Sequence, residues 1–268
     1  DTLTTVIFKE GITRIGEYAL YGCKNVTSIS IPDTVKSIGK GAFEGCSSMA
    51  SVELSKGLTD IGSYAFKNCA SLNALSIPDS VTSIGEYAFE KCTGLKDLSV
   101  PISLNVPSSK LWKNVKNIEK VTFTPGNGVG HNYDDDSDTP WRMSKNTLTT
   151  VIFEKGISHI GDYTLYKCSK VTSVSIPDTV VSIGESAFNK CSSLTDITVP
   201  DNIRWIGKDA FKDCPGYDPM TPSDTDKMDS IDSVGNISQG SSSGEDKREV
   251  HIVGSSIVGA IVIVMSLY

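Results

Sequence analysis

The chain has 268 residues, 38% hydrophobic and 21% charged, with 32 acidic against 25 basic side chains and a net charge of −7. That balance argues against a nucleic-acid-binding protein, which shows a basic face. Three histidines make a multi-histidine metal centre a poor fit, and seven cysteines, an odd number, exclude complete disulfide pairing within one chain.

The chain starts at Asp1 with no initiator Met, so a fragment or a processed form is expected. An Ile-Gly pair then returns at Ile15, Ile38, Ile61 and Ile84, and again at Ile160, Ile183 and Ile206, with a step of 23 residues inside each run. All seven cysteines keep the same step, from Cys23 to Cys92 and from Cys168 to Cys214. A fixed period of this length is the mark of a repeat architecture. One unit reads VTSISIPDTVKSIGKGAFEGC, from Val26 to Cys46. Alternation at Ile29 and Ile31 predicts a short strand, which Pro32 ends. Pro32-Asp33 opens a turn. Val35 and Ile38 form a second short apolar stretch, and the compact Gly-Ala-Phe-Glu-Gly-Cys run predicts one helical or 3₁₀ turn. One unit is too small to bury its apolar positions, whereas stacked neighbours bury them as a solenoid.

Leu111-Trp112, Val115, Ile118, Val121 and Phe123 continue the frame as a degenerate fifth unit. A unit enlarged by seven residues follows, over 124–153, and loses the Ile-Gly and Ala-Phe signals. The run starting at Asp1 then recurs at Asn146, an offset of 145, so Asp1 is expected to follow a cut through a similar enlarged unit. Inward anchors from Phe8 to Val199 count nine rungs, a sheet of roughly 40 Å at about 4.8 Å per rung.

The signature LxxIxIPxxVxxIGxxAFxxC, read at Leu72–Cys92 and Leu194–Cys214, resembles the BspA-like leucine-rich repeat family of surface proteins, and the likeness runs over about Asp1 to Cys214. The resemblance implies a right-handed repeat solenoid at a microbial or protist surface, used for adhesion, and it brings no catalytic residues. The fold class expected over 1–214 is thus a curved β-rich leucine-rich repeat solenoid of the α/β horseshoe type, with short helical or 3₁₀ turns. No cofactor and no enzymatic activity are expected. Partners are expected to be a host or matrix protein or a glycan. A structural surface coat without a dedicated ligand is the alternative.

Stacked cysteines have Cα atoms about 5 Å apart, inside the disulfide window, but parallel Cβ vectors suit the bond poorly. Val115 replaces cysteine in the column, so buried free thiols are the preferred reading over disulfides, and metal ligation is disfavoured because no histidine repeats with them. Asp134, Asp135, Asp136 and Asp138 offer oxygen ligands for Ca²⁺ but lack EF-hand spacing, which leaves a solvated loop as the simpler reading. Gly126, Gly128 and Gly130 do not have dinucleotide spacing, and His131 and His159 read as surface residues.

The outward strand positions make a strip of small hydroxyls with scattered charges, and Ser28, Ser30, Ser51, Glu53, Asp97, Ser173 and Asp196 are the candidate ligand surface. A strip that merely keeps the face soluble is the competing reading. Tyr133 and Trp141 in the enlarged unit join the candidates, because a local departure from the repeat suits a binding site. Ile7 and Ile152 take equivalent outward positions, as contact points or as residues covered by the enlarged unit. Sequons at Asn25 and Asn236 are candidate glycosylation sites.

Residues 215–249 carry eight acids and three bases and are poor in aromatic residues. This composition predicts a disordered acidic stalk. Val250–Tyr268 gives 19 residues without Asp, Glu, Lys or Arg, long enough as a helix of about 28 Å to cross a bilayer. A transmembrane span and a glycosylphosphatidylinositol signal both fit it. Either places the protein at the cell surface, with the repeats outside.

Overall fold

A single 23-residue coil has three faces, and a different backbone pattern makes each one. The computed structural model describes residues 3–4, 6–104, 108–133, 139 and 141–217. The first face is the predicted strand: Ser28–Ser30, Ser51–Glu53, Ala74–Ser76, Asp97–Pro101, Lys120–Thr124, Thr150–Phe153, Ser173–Ser175 and Asp196–Thr198 run parallel from coil to coil. Pairing keeps the repeat register, with Ser28 opposite Ser51 and Ile29 opposite Val52. The prolines end these strands in a tight turn, closed where the Val35 N–H donates to the Pro32 carbonyl at 3.0 Å. A hydroxyl in that turn ties each coil to the one before: Thr34 Oγ1 donates to the Ile12 carbonyl, and Ser80 Oγ to that of Leu58.

The second face is the apolar stretch before the Ile-Gly pair. It forms two-residue parallel strands, Arg14–Ile15, Ser37–Ile38, Asp60–Ile61 and Ser83–Ile84 in one stack and His159–Ile160, Ser182–Ile183 and Trp205–Ile206 in another. The glycine of the Ile-Gly pair is required by close approach wherever another coil precedes it, at Gly39, Gly62, Gly85, Gly161, Gly184 and Gly207, but not at Gly16 in the first coil. A Cβ on Gly62 would lie 2.6 Å from the Lys40 backbone nitrogen and 2.7 Å from the Gly39 carbonyl carbon.

The third face corrects the sequence reading of a helical or 3₁₀ turn. In the regular coils Gly-Ala-Phe-Glu-Gly-Cys forms consecutive tight turns. Gly41 (φ 59°) and Gly45 (φ 80°) are left-handed, and Tyr64, Asn68, Tyr87 and Lys91 adopt the same conformation at their positions. This alternation of hand turns every second N–H out of the coil. Gly41, Phe43 and Gly45 donate to Ser63, Ala65 and Lys67 of the next coil, while Ala42, Glu44 and Cys46 donate three residues back. A helix would direct all six along its own axis. The architecture is therefore a solenoid of stacked three-sided coils with almost no helix, not the helix-backed horseshoe type. Among the described residues the helical pieces are Ser108–Leu111 and the 3₁₀ turn Arg142–Ser144, both in irregular coils.

The interior holds one side chain of each kind per coil. Phe43, Phe66, Phe89 and Trp112 stack with centroids 5.1, 5.5 and 4.8 Å apart, and each such buried ring contributes roughly 1.5–3 kcal/mol relative to exposure. In the enlarged coil the second-face ladder shrinks to one bridge between Val129 and His159. Trp141 fills the interior instead, edge-on to Phe123 at 5.1 Å. Its indole N–H donates to the Thr164 carbonyl at 2.9 Å. In a regular coil the backbone N–H of the preceding phenylalanine takes that acceptor, as Phe43 does with Ala65.

Of the predicted stalk only residues 215–217 are described, and there Tyr217 stacks on Phe211 with centroids 4.2 Å apart, so these residues pack on the last coil. Residues 218–249 and the 250–268 anchor lie outside the described residues. Among those described, no helix is long and apolar enough to cross a membrane.

Candidate functional site

First-face strands expose alternate side chains, because successive residues of a strand point to opposite sides of the sheet. Ile29, Val52, Leu75, Leu98 and Val121 point inward and are buried. Ser28, Ser30, Ser51, Glu53, Ser173 and Asp196 point outward and are exposed, and Asp97 is half-exposed. Seven sequence candidates thus share one flat strip. Within it the Ser30 hydroxyl donates to Glu53 Oε2 at 3.2 Å, and Lys120 Nζ lies 2.9 Å from Asp97 Oδ2. Asp97 is neutralised by its neighbour, whereas Glu53 and Asp196 form no ion pair among the described residues.

Two candidates leave this surface. Trp141 is 1% exposed and Tyr133 is 7% exposed. An enlarged coil that lacks the Ala-Phe pair has an interior to fill, and these aromatic rings fill it. Ile7 and Ile152 do lie on the strip, 85% and 41% exposed, and the enlarged coil beside Ile152 leaves that side chain partly open. Asn25 is exposed at the bend between the third and first faces. Asn236 and the run Asp134–Asp138 lie outside the described residues, and the described residues hold no cluster of metal-ligating side chains. His131 and His159 are half-buried, His131 edge-on to Tyr133 at 4.9 Å and His159 Nδ1 2.7 Å from the Ser158 hydroxyl.

Most of the cysteine column is chemically quiet; Cys214 is the exception, its pKa drawn down by the hydrogen bond with Cys191. All seven are free thiols, and all but the half-buried Cys23 are buried. Each thiol below the top of a run reaches back one coil: Cys69 Sγ donates to the Phe43 carbonyl at 3.3 Å and Cys92 Sγ to that of Phe66 at 3.2 Å. Burial pushes Cys46 up to about 11, and Cys92 and Cys168 to about 12. A thiol that stays protonated is neither a nucleophile nor a metal ligand.

Sequence reasoning missed a ladder on the third face. Tyr64 and Tyr87 stack at 5.4 Å, and Lys67 Nζ sits 4.9 Å from the Tyr64 centroid. Lys40 lies 6.0 Å from both the Tyr18 and Tyr64 rings, where Gly41 leaves the tyrosine column open, and the Tyr18 hydroxyl raises its pKa. Glu44, Lys67, Glu90 and Lys113 alternate in sign at 3.6, 3.5 and 3.9 Å. The signal was present as Tyr-Ala at the same place in three units and as alternating charge three residues later. These groups satisfy one another between coils, which marks this face as a clamp on the stack.

The sequence pattern of the BspA-type leucine-rich repeat region matches residues 2–131 and 143–231, in six copies, with its gap in the enlarged coil. No curated protein matches. Similar solved structures include a leucine-rich repeat protein from Bacteroides ovatus, 24% identical, with 79% of this chain and 71% of that one covered and a TM-score of 0.39. A leucine-rich repeat protein from T. pallidum is 22% identical, with coverage of 82% and 79% and a TM-score of 0.34. A leucine-rich cell surface protein from Faecalibacterium prausnitzii is 20% identical, with coverage of 81% and 66% and a TM-score of 0.36.

Proposed function

The chain belongs to the BspA-type leucine-rich repeat family, and from that premise we propose that it is a cell-surface binding module that adheres to a host or matrix protein, or a glycan, through its first face. The observation that carries this reading is the contrast between faces. On the third face Tyr64, Lys67 and Glu90 are occupied with one another. On the first face Ser28, Ser51, Ser173 and Asp196 stand in register, exposed and flat. Repeat solenoids characteristically bind on such extended surfaces. The acidic composition of 215–249 and the apolar run 250–268 support a tether that holds the repeats outside the cell.

The test is binding of the chain to matrix proteins and to arrayed glycans, with Ser51→Lys and Ser173→Lys as paired variants. Loss of a bound partner in either variant supports the reading. Binding that both variants retain in full refutes the first face as the site, and no binding to any of these surfaces favours a structural coat.

A further inference from the structure

We propose, resting on the first-face reading above, that this face carries one protein-docking patch twice, so that a single chain holds two copies of its partner's recognition segment. The sequence TLTTVIF occurs at 2–8 and again at 147–153, and VTSISIP at 26–32 returns as VTSVSIP at 171–177. The fold converts this duplication into geometry. Ile7, Ser28 and Ser30 are exposed, and so are their counterparts Ile152, Ser173 and Ser175. The outward column through these isoleucines is otherwise polar, as Ser, Thr or Glu in every other coil from Ser30 to Thr198. An apolar side chain therefore interrupts a hydroxyl column at the same place in both modules.

Charge selects the partner. Two coils beyond Ile7 and in its own column stands Glu53, opposite Ser30. Two coils beyond Ile152 stands Asp196, one outward column over, opposite Ser173, and neither carboxylate is in an ion pair among the described residues. Each patch thus offers an apolar contact and, roughly 10 Å along the stack at about 4.8 Å per coil, an unneutralised carboxylate, which in the second patch is also shifted by two residues along its strand, a displacement that a flexible Lys or Arg side chain spans. The complement is a short protein segment that carries an apolar side chain and a Lys or Arg. A neutral glycan donates hydroxyls to a carboxylate but brings no cation to neutralise it and no apolar side chain to meet the isoleucine. A second copy of this chain would set carboxylate against carboxylate across the same face. The two patches lie six coils apart, roughly 29 Å at the same spacing, too far for one short segment to fill both.

The test uses short random peptides, selected on the full chain and counter-selected on the Ile7→Ser/Ile152→Ser double variant, then titrated calorimetrically. The expected peptides pair an apolar residue with Lys or Arg. They bind two per chain, one per chain to either single variant and none to the double variant, and they weaken as salt rises. Peptides that bind once per chain and are lost in Ser76→Lys would overturn the duplication and keep the first-face reading. Peptides indifferent to both isoleucines and to Ser76→Lys would overturn both, as would a selection that enriches nothing over the double variant. Both isoleucines are surface positions, and circular dichroism of the variants separates lost binding from lost fold.

Discussion

Replacing Gly62 by alanine tests why the Ile-Gly pair recurs at all. A Cβ there meets backbone atoms of the preceding coil at 2.6, 2.7 and 2.9 Å, and a coil cannot yield as a flexible side chain would. The coils have to separate, which breaks second-face pairing between Ile38 and Ile61. Overpacking of this kind costs typically about 1–3 kcal/mol, against about 0.4–1 kcal/mol gained because alanine restricts the unfolded chain. The net expected loss for Gly62→Ala is about 1–2 kcal/mol. Gly16 is the internal control. It belongs to the same pair in the first coil, but a Cβ there meets nothing within 4 Å. Gly16→Ala is therefore expected to leave stability unchanged or raise it by up to about 1 kcal/mol. Urea unfolding followed by tryptophan fluorescence reads both, since Trp112 and Trp141 are buried. Midpoints that move equally in the two variants would refute the close-approach explanation.

The buried thiols predict an alkaline weakness. Above about pH 8.5 an unfolded cysteine releases its proton while the folded Cys92, pushed up to about 12, holds it. The unfolded state then binds fewer protons, so stability falls with pH by up to about 1.4 kcal/mol per unit per thiol until pH passes the folded value. Cys92→Ala should flatten the profile between those limits, and an unchanged slope by pH-dependent urea unfolding would contradict it. Thiol labelling of the native chain near pH 8 should reach Cys23 first and the other six only on unfolding. Trp141→Phe keeps an aromatic ring but leaves the Thr164 carbonyl without its indole donor, for an expected loss of about 1–3 kcal/mol by thermal unfolding. Removal of residues 250–268 should move the protein from the membrane pellet to the supernatant with the same circular dichroism, and a full-length chain that stays in the supernatant would count against the tether.

The 23-residue period, the inward anchors and the cysteine column were legible because each is a residue type repeated in register. Burial of Ile29, Val52 and Leu75 on one side, with Ser28, Ser51 and Ala74 on the other, follows from strand alternation alone. The third face was not legible as turns. Its left-handed residues include Tyr64, Tyr87 and Lys91, types that rarely adopt φ > 0. The hydrogen bonds to the next coil hold them there, and local propensity does not report bonds to a residue 22 positions away. The same limit explains Trp141. A departure from the repeat reads as a site, but here it compensates for the lost Ala-Phe pair, which only the interior reveals.

The first face is the proposed working surface, and attachment of protein-coated beads to host-cell monolayers tests that role most directly. Ser28→Lys with Ser173→Lys places two cations on that face, while Thr13→Lys with Ser83→Lys places two on the exposed second face at the same added charge. The prediction is that the first pair abolishes attachment and the second leaves it at the wild-type level. Attachment retained by the first pair and lost with the second would contradict the account.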